Sequence, residues 1–513
     1  MEQMRAVCIL RPTRENVALL RRELRVRGPR YAEYHLYFTN TVSDMALQEL
    51  AEADGGEAIA GVHELYGDFI AADPRVFVAP CERNWACLVP PAWQPAGAQA
   101  AEDRAVSALA SVVLSMKRKP LVRYQSNSEH CRRVAEGLHS LAYREEGELF
   151  DFGARGAESP PVVLVVDRLD DPVTPLLSQW TYHAMMHELL GVEDGAVDLR
   201  AAGVVTKEHD RVVFSRRQDP FFAAHQHADF GSLGEAVRRL MEDLARATPK
   251  TSEGMGIAEM KKVLEDFPEY RSQKLATVKH VECLNAMSAM IQERDLMSQG
   301  ALEYGIAAAG GALQGHAQQV ADVVAGARAS ELDKLRLLLL LALRYEPDGA
   351  AAVSRLASQL EAGAGTREGR GASRVVEMLL RLAGRDRRLG DLFRNKSVMG
   401  SLQSTLSQMG GTEWYRTHRP LLYHTLRDLA GGKLSAQGYP FAGGAAFGSA
   451  AGGTAPRDVV AFVVGGCTLS EGQACAQLSR EVPGCRFYLG GTALLNARGF
   501  VGDLLEASLS ASR

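Results

Sequence analysis

Five consecutive residues, Val162-Val163-Leu164-Val165-Val166, are β-branched or leucine without a polar interruption. A strand with one face in water alternates apolar and polar residues, so an unbroken run belongs in the interior of a parallel sheet covered by helices on both faces. Parallel neighbours are joined by long crossovers, usually helical, so this one strand points to an α/β fold.

The rest of the chain follows that grammar at both ends. Ala6–Leu10 reads as a strand ending at Arg11-Pro12, Arg14–Leu24 as a helix, Tyr34–Phe38 as a strand and Asp44–Ala53 as a helix. Helical patterns at Ala105–Met116 and Glu129–Tyr143 lead into the Val162 strand. From Gln179 to Leu429 helical periodicity takes over, at Gln179–Leu190, Gly231–Ala245, Ile257–Asp266, Glu269–Leu296, Glu331–Arg344 and Val375–Leu382. Strand patterns return at Val459–Val464 and Arg486–Leu489, with helices at Glu471–Arg480 and Phe500–Ala507. The return predicts one α/β domain split in sequence by a helical insertion. Two Gly/Ala-rich stretches, Glu361–Ser373 and Gly443–Ala455, lack apolar periodicity and are expected to be flexible surface loops.

Composition removes several function classes. A chain of 513 residues is too long for a single core. Lys and Arg total 58 against 62 acids, a net charge of −4, which argues against a phosphate backbone as partner. The longest apolar run, Leu337–Leu343, falls short of the roughly 20 residues needed to cross a bilayer. Met1–Thr13 carries no long apolar region or cleavage site, and the eight cysteines form no C-x-x-C pair, so a reducing cytosol is expected.

The most conspicuous candidate chemistry is Asp167-Arg168-Leu169-Asp170-Asp171-Pro172, at a strand end where α/β proteins bind ligands. Its three acids suit a metal-dependent phosphohydrolase. The favoured reading is that Asp170 and Asp171 cap the turn forced by Pro172 and Pro175 while Asp167 pairs with Arg168. No phosphate loop accompanies them. His183 and His187 stand four apart, but Ala184 occupies the place of the glutamate in an H-E-x-x-H site, so they read as a pair on a helix surface; His225 and His227 read as solvent-facing or turn-forming. Gly465-Gly466 and Gly490-Gly491 each follow a strand without continuing as G-x-G-x-x-G, and are expected to turn the chain out of the sheet. Lys117, Arg118, Lys119 and Arg123 read as the solvated end of a helix, with acidic lipid as the other reading.

Apolar residues at spacings of three and four (Ile257, Met260, Leu264, Phe267, then Leu275, Val278, Val281, Leu284, Met287, Ile291) predict two amphipathic helices meeting at Phe267-Pro268. Pro268 serves there either as a fixed first helical residue or as a hinge. A helical partner packed alongside and internal core packing explain the apolar stripes equally well.

The block VVLVVDRLDDPVTPLLSQWTYHAMMHELLG (Val162–Gly191) closely resembles the SM family of SNARE regulators, particularly its endosomal and trans-Golgi branch. Ala6–Asn16, Val263–His280, Tyr415–Leu429, Tyr439-Pro440 and Asp458–Phe500 extend the resemblance over almost the whole chain. It implies a three-domain arch: an α/β domain at 1–78, a second at 79–178 completed by 431–513, and a largely helical domain at 179–430 inserted into it. It also implies no enzymatic activity, no cofactor and no metal. The implied partners are a Qa-SNARE (syntaxin) and the assembling bundle with its R-SNARE, met by a monomer in the cytoplasm that reaches endosomal and trans-Golgi membranes through SNAREs. An apolar pocket for the syntaxin N-terminal peptide would use Leu47 and Ile59 with Glu64 beside it. A helical hairpin at 257–296 would template SNARE helices through Met260, Leu264, Tyr270, Leu275 and Val278, with Pro268 as hinge. Proteins of this family begin earlier, so the first domain is expected to lack its opening strand and helices, as in an incomplete gene model or fragment.

Overall fold

The structure is a computed structural model. It describes residues 3–25, 30–93, 97–153, 159–193, 195–201, 211–247, 268–307, 312–390, 392–393, 419–444 and 456–511. The chain forms two compact units, Met1–Arg168 with Leu426–Cys467 and Cys475–Leu494, and Leu169–Thr425 with Thr468–Ala474 and Leu495–Arg513.

The first unit holds two sheets. Strands β1 (Arg5–Leu10), β2 (Glu33–Phe38) and β3 (Ile59–Glu64) form an all-parallel sheet in that order. Helices α1 (Arg14–Arg25) and α2 (Asp44–Ala53) cover one of its faces. There Val17, Leu20, Leu24, Leu50 and Ala53 close over Tyr34, Leu36 and Phe38. Each Val, Leu or Phe side chain among them withdrawn from water contributes about 1.5–3 kcal/mol.

The larger sheet draws its strands from both ends of the chain. These are β4 (Ile70–Asp73), β5 (Val76–Val78), β6 (Leu121–Tyr124), β7 (Val162–Asp167), β8 (Asp458–Val464) and β9 (Arg486–Gly491). Their spatial order is β4-β5-β9-β8-β7-β6, parallel except for the β4/β5 pair. Every residue of β7 and β8 is buried, as the unbroken apolar run requires. Helices α3 (Ala98–Met116) and α4 (Glu129–Ser140) pack onto this sheet, with Ala105, Leu109, Val134 and Leu138 in one cluster with Val163, Val165 and Phe462. The fold class is as expected, parallel α/β sheets with a helical stretch inserted in sequence between the adjacent strands β7 and β8.

Several local expectations give way to the structure. Gly490 and Gly491 do not turn the chain; they lie in β9, where a Cβ on Gly490 would fall 2.1 Å from the Phe77 ring. Gly465 and Gly466, at φ of 89° and 100°, do make the turn, in a region that disfavours side chains. Arg123 is no solvated helix end: it lies buried in β6 and donates to the carbonyls of Leu434, Ser435 and Tyr439. Lys119 sits over the Tyr143 ring, 4.3 Å from its centroid.

The second unit is mainly helical: α5 (Tyr182–Met185, continued by a π-turn to Leu190), α6 (Pro220–His225), α7 (Phe230–Ala247), α8 (Pro268–Glu293), α9 (Leu296–Ala307), α10 (Leu313–Ala325), α11 (Glu331–Arg344), α12 (Ala350–Ala362), α13 (Ala372–Ala383) and α14 (Ala497–Ala511). Its core helix α11 starts at a capping box, Ser330 with Asp333, and buries the whole Leu337–Leu343 run. Glu361–Ser373 is not a loop. The Glu331 carboxylate gathers the amides of Gly365 and Thr366, a helical turn follows at Arg367–Arg370, and α13 begins at Ala372. Most of the other predicted loop, 445–455, lies outside the described residues.

Candidate functional site

Three residues expected to hold a peptide, Leu47, Ile59 and Glu64, come from α2 and β3. Ser43 caps α2 by accepting from the Ala46 amide, and Asp54 ends it by gathering the amides of Ala58 and Ile59, each at 2.8 Å. That second set of bonds launches β3, the last strand of its sheet, whose outer edge pairs with no strand among the described residues. A register shift sets Tyr34 opposite Ile59 but His35 opposite Gly61. With one residue bulged, Ile59, Val62 and Glu64 all share the face that α2 covers.

The three expected residues therefore line one side of an open strand edge rather than a closed pocket. Ile59, half-buried, packs against the core beneath α2, Leu47 is half-buried, and Glu64 is exposed at the far end of β3. Ile59 stands opposite Tyr34 and Glu64 opposite Phe38, four rungs along the sheet, about 13 Å. Glu64 is already engaged, accepting from the Val42 amide at 2.8 Å and the Tyr66 hydroxyl at 3.3 Å. Between them stands Val62, 38 % exposed, which the sequence reading missed; Leu65 just beyond is 44 % exposed. The arrangement offers aliphatic contacts beside backbone groups, the chemistry that takes up an extended peptide.

The second expected site is the hairpin. Met260 and Leu264 lie outside the described residues. Pro268 is the first residue of α8, where its missing amide costs nothing, and Tyr270 falls in the first turn. Leu275 and Val278 are half-buried. Thr277, His280, Cys283, Met287 and Ile291 form the buried stripe of α8.

One acid holds that stripe. Asp219 caps α6, accepting from the Phe222 amide at 2.9 Å, and its carboxylate also lies 2.5 Å from Lys279 Nζ and 3.0 Å from His280 Nε2. His280, fully buried, hydrogen-bonds through Nδ1 to the Tyr182 hydroxyl at 2.8 Å and lies against the Phe221 and Phe214 rings. Burial raises the Asp219 carboxyl, but hydrogen bonds from His280 and Lys279 outweigh it and hold the group well below the usual carboxylate range. Burial lowers His280, with Asp219 opposing in part.

The acidic motif after β7 is spent on chain geometry. Asp167 accepts from the Ser128 hydroxyl at 2.5 Å, and the Arg168 guanidinium donates to the Gly466 carbonyl. Asp171 gathers the amide and hydroxyl of Thr174 and the amide of Leu421, and Asp170 accepts from the Leu389 amide. Among the described residues no group of three His, Cys, Asp or Glu is placed to hold a metal. His183 is not on a helix surface: it is 8 % exposed, with the edge of the Phe222 ring against it. His225 stacks on Phe221. A polar cleft of about 880 Å³ opens beyond β1 and β2, where Asp68 is already neutralised by Arg11 and Arg104 at 3.1 and 3.0 Å.

Two parallel sheets, strands recruited from both ends of the chain and a helical insertion define the class: the chain belongs to the Sec1 family, whose model matches residues 1–503. More particularly, it is 37% identical over 510 residues to the vacuolar protein sorting-associated protein 45 homolog of Arabidopsis thaliana, covering 99% of this chain and 87% of that one. The Homo sapiens vacuolar protein sorting-associated protein 45 is 34% identical over 514 residues, covering 99% and 86%. Among solved structures, the SM protein Vps45 in complex with the Qa SNARE Tlg2 (1-310) matches with a TM-score of 0.85 at 32% identity, covering 99% of this chain and 87% of that one. The Unc18–syntaxin 1 complex from Monosiga brevicollis shares the fold, with a TM-score of 0.75 at 21% identity and 99% and 88% coverage.

Proposed function

We propose that this protein binds a Qa-SNARE of the syntaxin type and templates SNARE assembly for vesicle docking and fusion in endosomal, trans-Golgi and vacuolar transport. The observation that carries the reading is the match along nearly the whole chain to an SM protein solved with its Qa SNARE. It acts by binding rather than by catalysis. The acids that a phosphohydrolase would need are engaged with the chain's own amides and hydroxyls.

The syntaxin N-terminal peptide lies along β3 in contact with Leu47 and Val62, above Ile59 and beside Glu64. The hairpin, through Met260, Leu264, Pro268, Tyr270, Leu275 and Val278, receives the SNARE helices of the Qa and R partners. Three domains, 1–78, 79–178 with 431–513, and 179–430, share these roles. Among the described residues no helix is long and apolar enough to cross a membrane. In this reading a cytoplasmic monomer is held at endosomal and trans-Golgi membranes by its SNARE partners.

Calorimetric titration with N-terminal peptides of endosomal and trans-Golgi syntaxins tests the reading. Saturable binding to one of them is expected, and no heat with any peptide or with the full cytosolic syntaxin would reject it.

A further inference from the structure

We propose that Asp219 is a positioning residue that fixes the rotation of α8 about its own axis, and thereby the face that α8 turns toward a partner helix. The inference rests on the reading of α8 as a SNARE-facing helix and names what aims it.

The geometry begins with two consecutive residues. Successive side chains on an α-helix diverge by about 100°. Lys279 and His280 nevertheless reach the same carboxylate, at 2.5 and 3.0 Å. A group gripped by both must stand over the helix between their directions, which leaves the helix one rotation and one height. A single contact would allow it to roll.

The carboxylate is itself immobile. Asp219 is 4 % exposed and is locked to the start of α6 by the Phe222 amide. His280 is held from its other nitrogen by the Tyr182 hydroxyl, and Lys279 from its other side by the Val213 carbonyl at 3.1 Å and the Phe214 ring. The node thus joins α5, α6 and the Arg211–Val213 strand to one turn of α8.

Counting 100° per residue from His280, Leu275 and Val278 lie about 140–160° round the helix, on the side opposite the buried stripe. Their half-exposure agrees with that placement. Whatever sets the direction of His280 therefore sets the direction of Leu275 and Val278. An apolar stripe alone specifies rotation loosely, because hydrophobic contact is non-directional. The charged grip supplies what the stripe does not.

The test uses the full chain and compares wild type, Asp219→Ala, Lys279→Gln and Lys279→Arg. Three quantities are measured: the rate of SNARE assembly, the affinity for a syntaxin N-terminal peptide, and the rate at which a thiol reagent labels Cys283 and Cys131, resolved by mass spectrometry. Cys283 sits on the buried stripe of α8 and Cys131 is buried in the other unit. Asp219→Ala is expected to lose about tenfold or more of the assembly acceleration and to speed labelling of Cys283 alone, with peptide affinity retained. Lys279→Gln is expected to show part of the same loss, and Lys279→Arg, which keeps the ion pair, to restore it. Wild-type assembly rates in Asp219→Ala would overturn the proposal. So would equal acceleration of Cys283 and Cys131 labelling, which marks general loosening. Should Asp219→Ala not fold, equal rates for Lys279→Gln and Lys279→Arg overturn it instead. If wild type itself does not accelerate assembly, the SNARE-facing reading fails, while the labelling still reports whether Asp219 holds the helix.

Discussion

Arg336 and Glu303 meet in the core of the helical unit, Nη2 to carboxylate at 3.1 Å, with each side chain only 2% exposed. The guanidinium also donates to the Leu176 carbonyl and the Ser178 hydroxyl, and lies 3.3 Å from Glu188 and 3.9 Å from Asp333. Burial disfavours both charges, and the surrounding carboxylates more than restore that of Arg336. One cation thus holds together α11, α9 and the π-turn after α5.

Removing that cation leaves the buried carboxylates of Glu303 and Glu188 without their counter-charge, while Asp333 keeps Arg294 at 2.5 Å. Arg336→Met is expected to cost about 3–5 kcal/mol, read as a lowered midpoint in urea denaturation. Lysine, a point charge without the planar fork, is expected to recover only part of the loss. Unchanged midpoints would show that water or rearrangement satisfies the acids.

Acid stability should follow His183. Burial, then the charges of His187 and His227, push its pKa down to about 3. The folded protein keeps the ring neutral where the unfolded chain, with a pKa near 6.5, takes up a proton. Stability from this residue is therefore complete above about pH 6.5 and is lost as pH falls toward 3, on the order of 4–5 kcal/mol in all. His183→Gln should flatten the stability profile across that window. Asp219, held below its usual range, adds a loss only once pH falls below the carboxylate range. An identical pH profile in the His183 variant would contradict the assignment.

Gly490 tests the close approach of β9 to β5. The Phe77 ring that a new Cβ would strike lies between Phe69 and Phe462, at centroid distances of 5.7 and 6.2 Å, and has little room to withdraw. Gly490→Ala is expected to destabilise by about 1–3 kcal/mol, and Phe77→Leu in the same chain to recover part of it, as thermal unfolding would show. If the double variant is no better than the single, the strain lies elsewhere.

The elements legible in the sequence are those whose signal is local. The Val162 run could be placed only inside a sheet, and Asp44–Ala53 was bounded correctly because apolar periodicity and cap chemistry agree there. Strands β3 and β6 escaped for physical reasons. The bulge and Gly61 break the alternation of β3, and Arg123 in β6 looks solvated until the carbonyls that receive it are brought from Leu434–Tyr439. The same holds for the sites. Leu47, Ile59 and Glu64 came from family resemblance, and Val62 joins them only through the register shift. Asp219 sits in an ordinary Asp-Pro helix start, and nothing local announces that Lys279 and His280, sixty residues on, will share its carboxylate.

The edge of β3 separates residues that touch a peptide from residues that support it. Leu47 is half-buried and Val62 is 38 % exposed, so an arginine at either is accommodated in water while filling the apolar strip with charge. Leu47→Arg and Val62→Arg are each expected to weaken the syntaxin N-terminal peptide by tenfold or more, about 1.4 kcal/mol at least, with little change in melting temperature. Ile59 is half-buried against the α2 core, so Ile59→Ala should lower stability by about 0.5–3 kcal/mol and weaken binding mainly indirectly. Glu64→Gln keeps an acceptor for the Val42 amide but removes the charge, and is expected to act only on peptides with a basic residue at that end of the strand. Calorimetry of the four variants against one peptide distinguishes the roles. Unchanged affinity in both arginine variants would move the peptide away from this edge, whatever the rest of the chain binds.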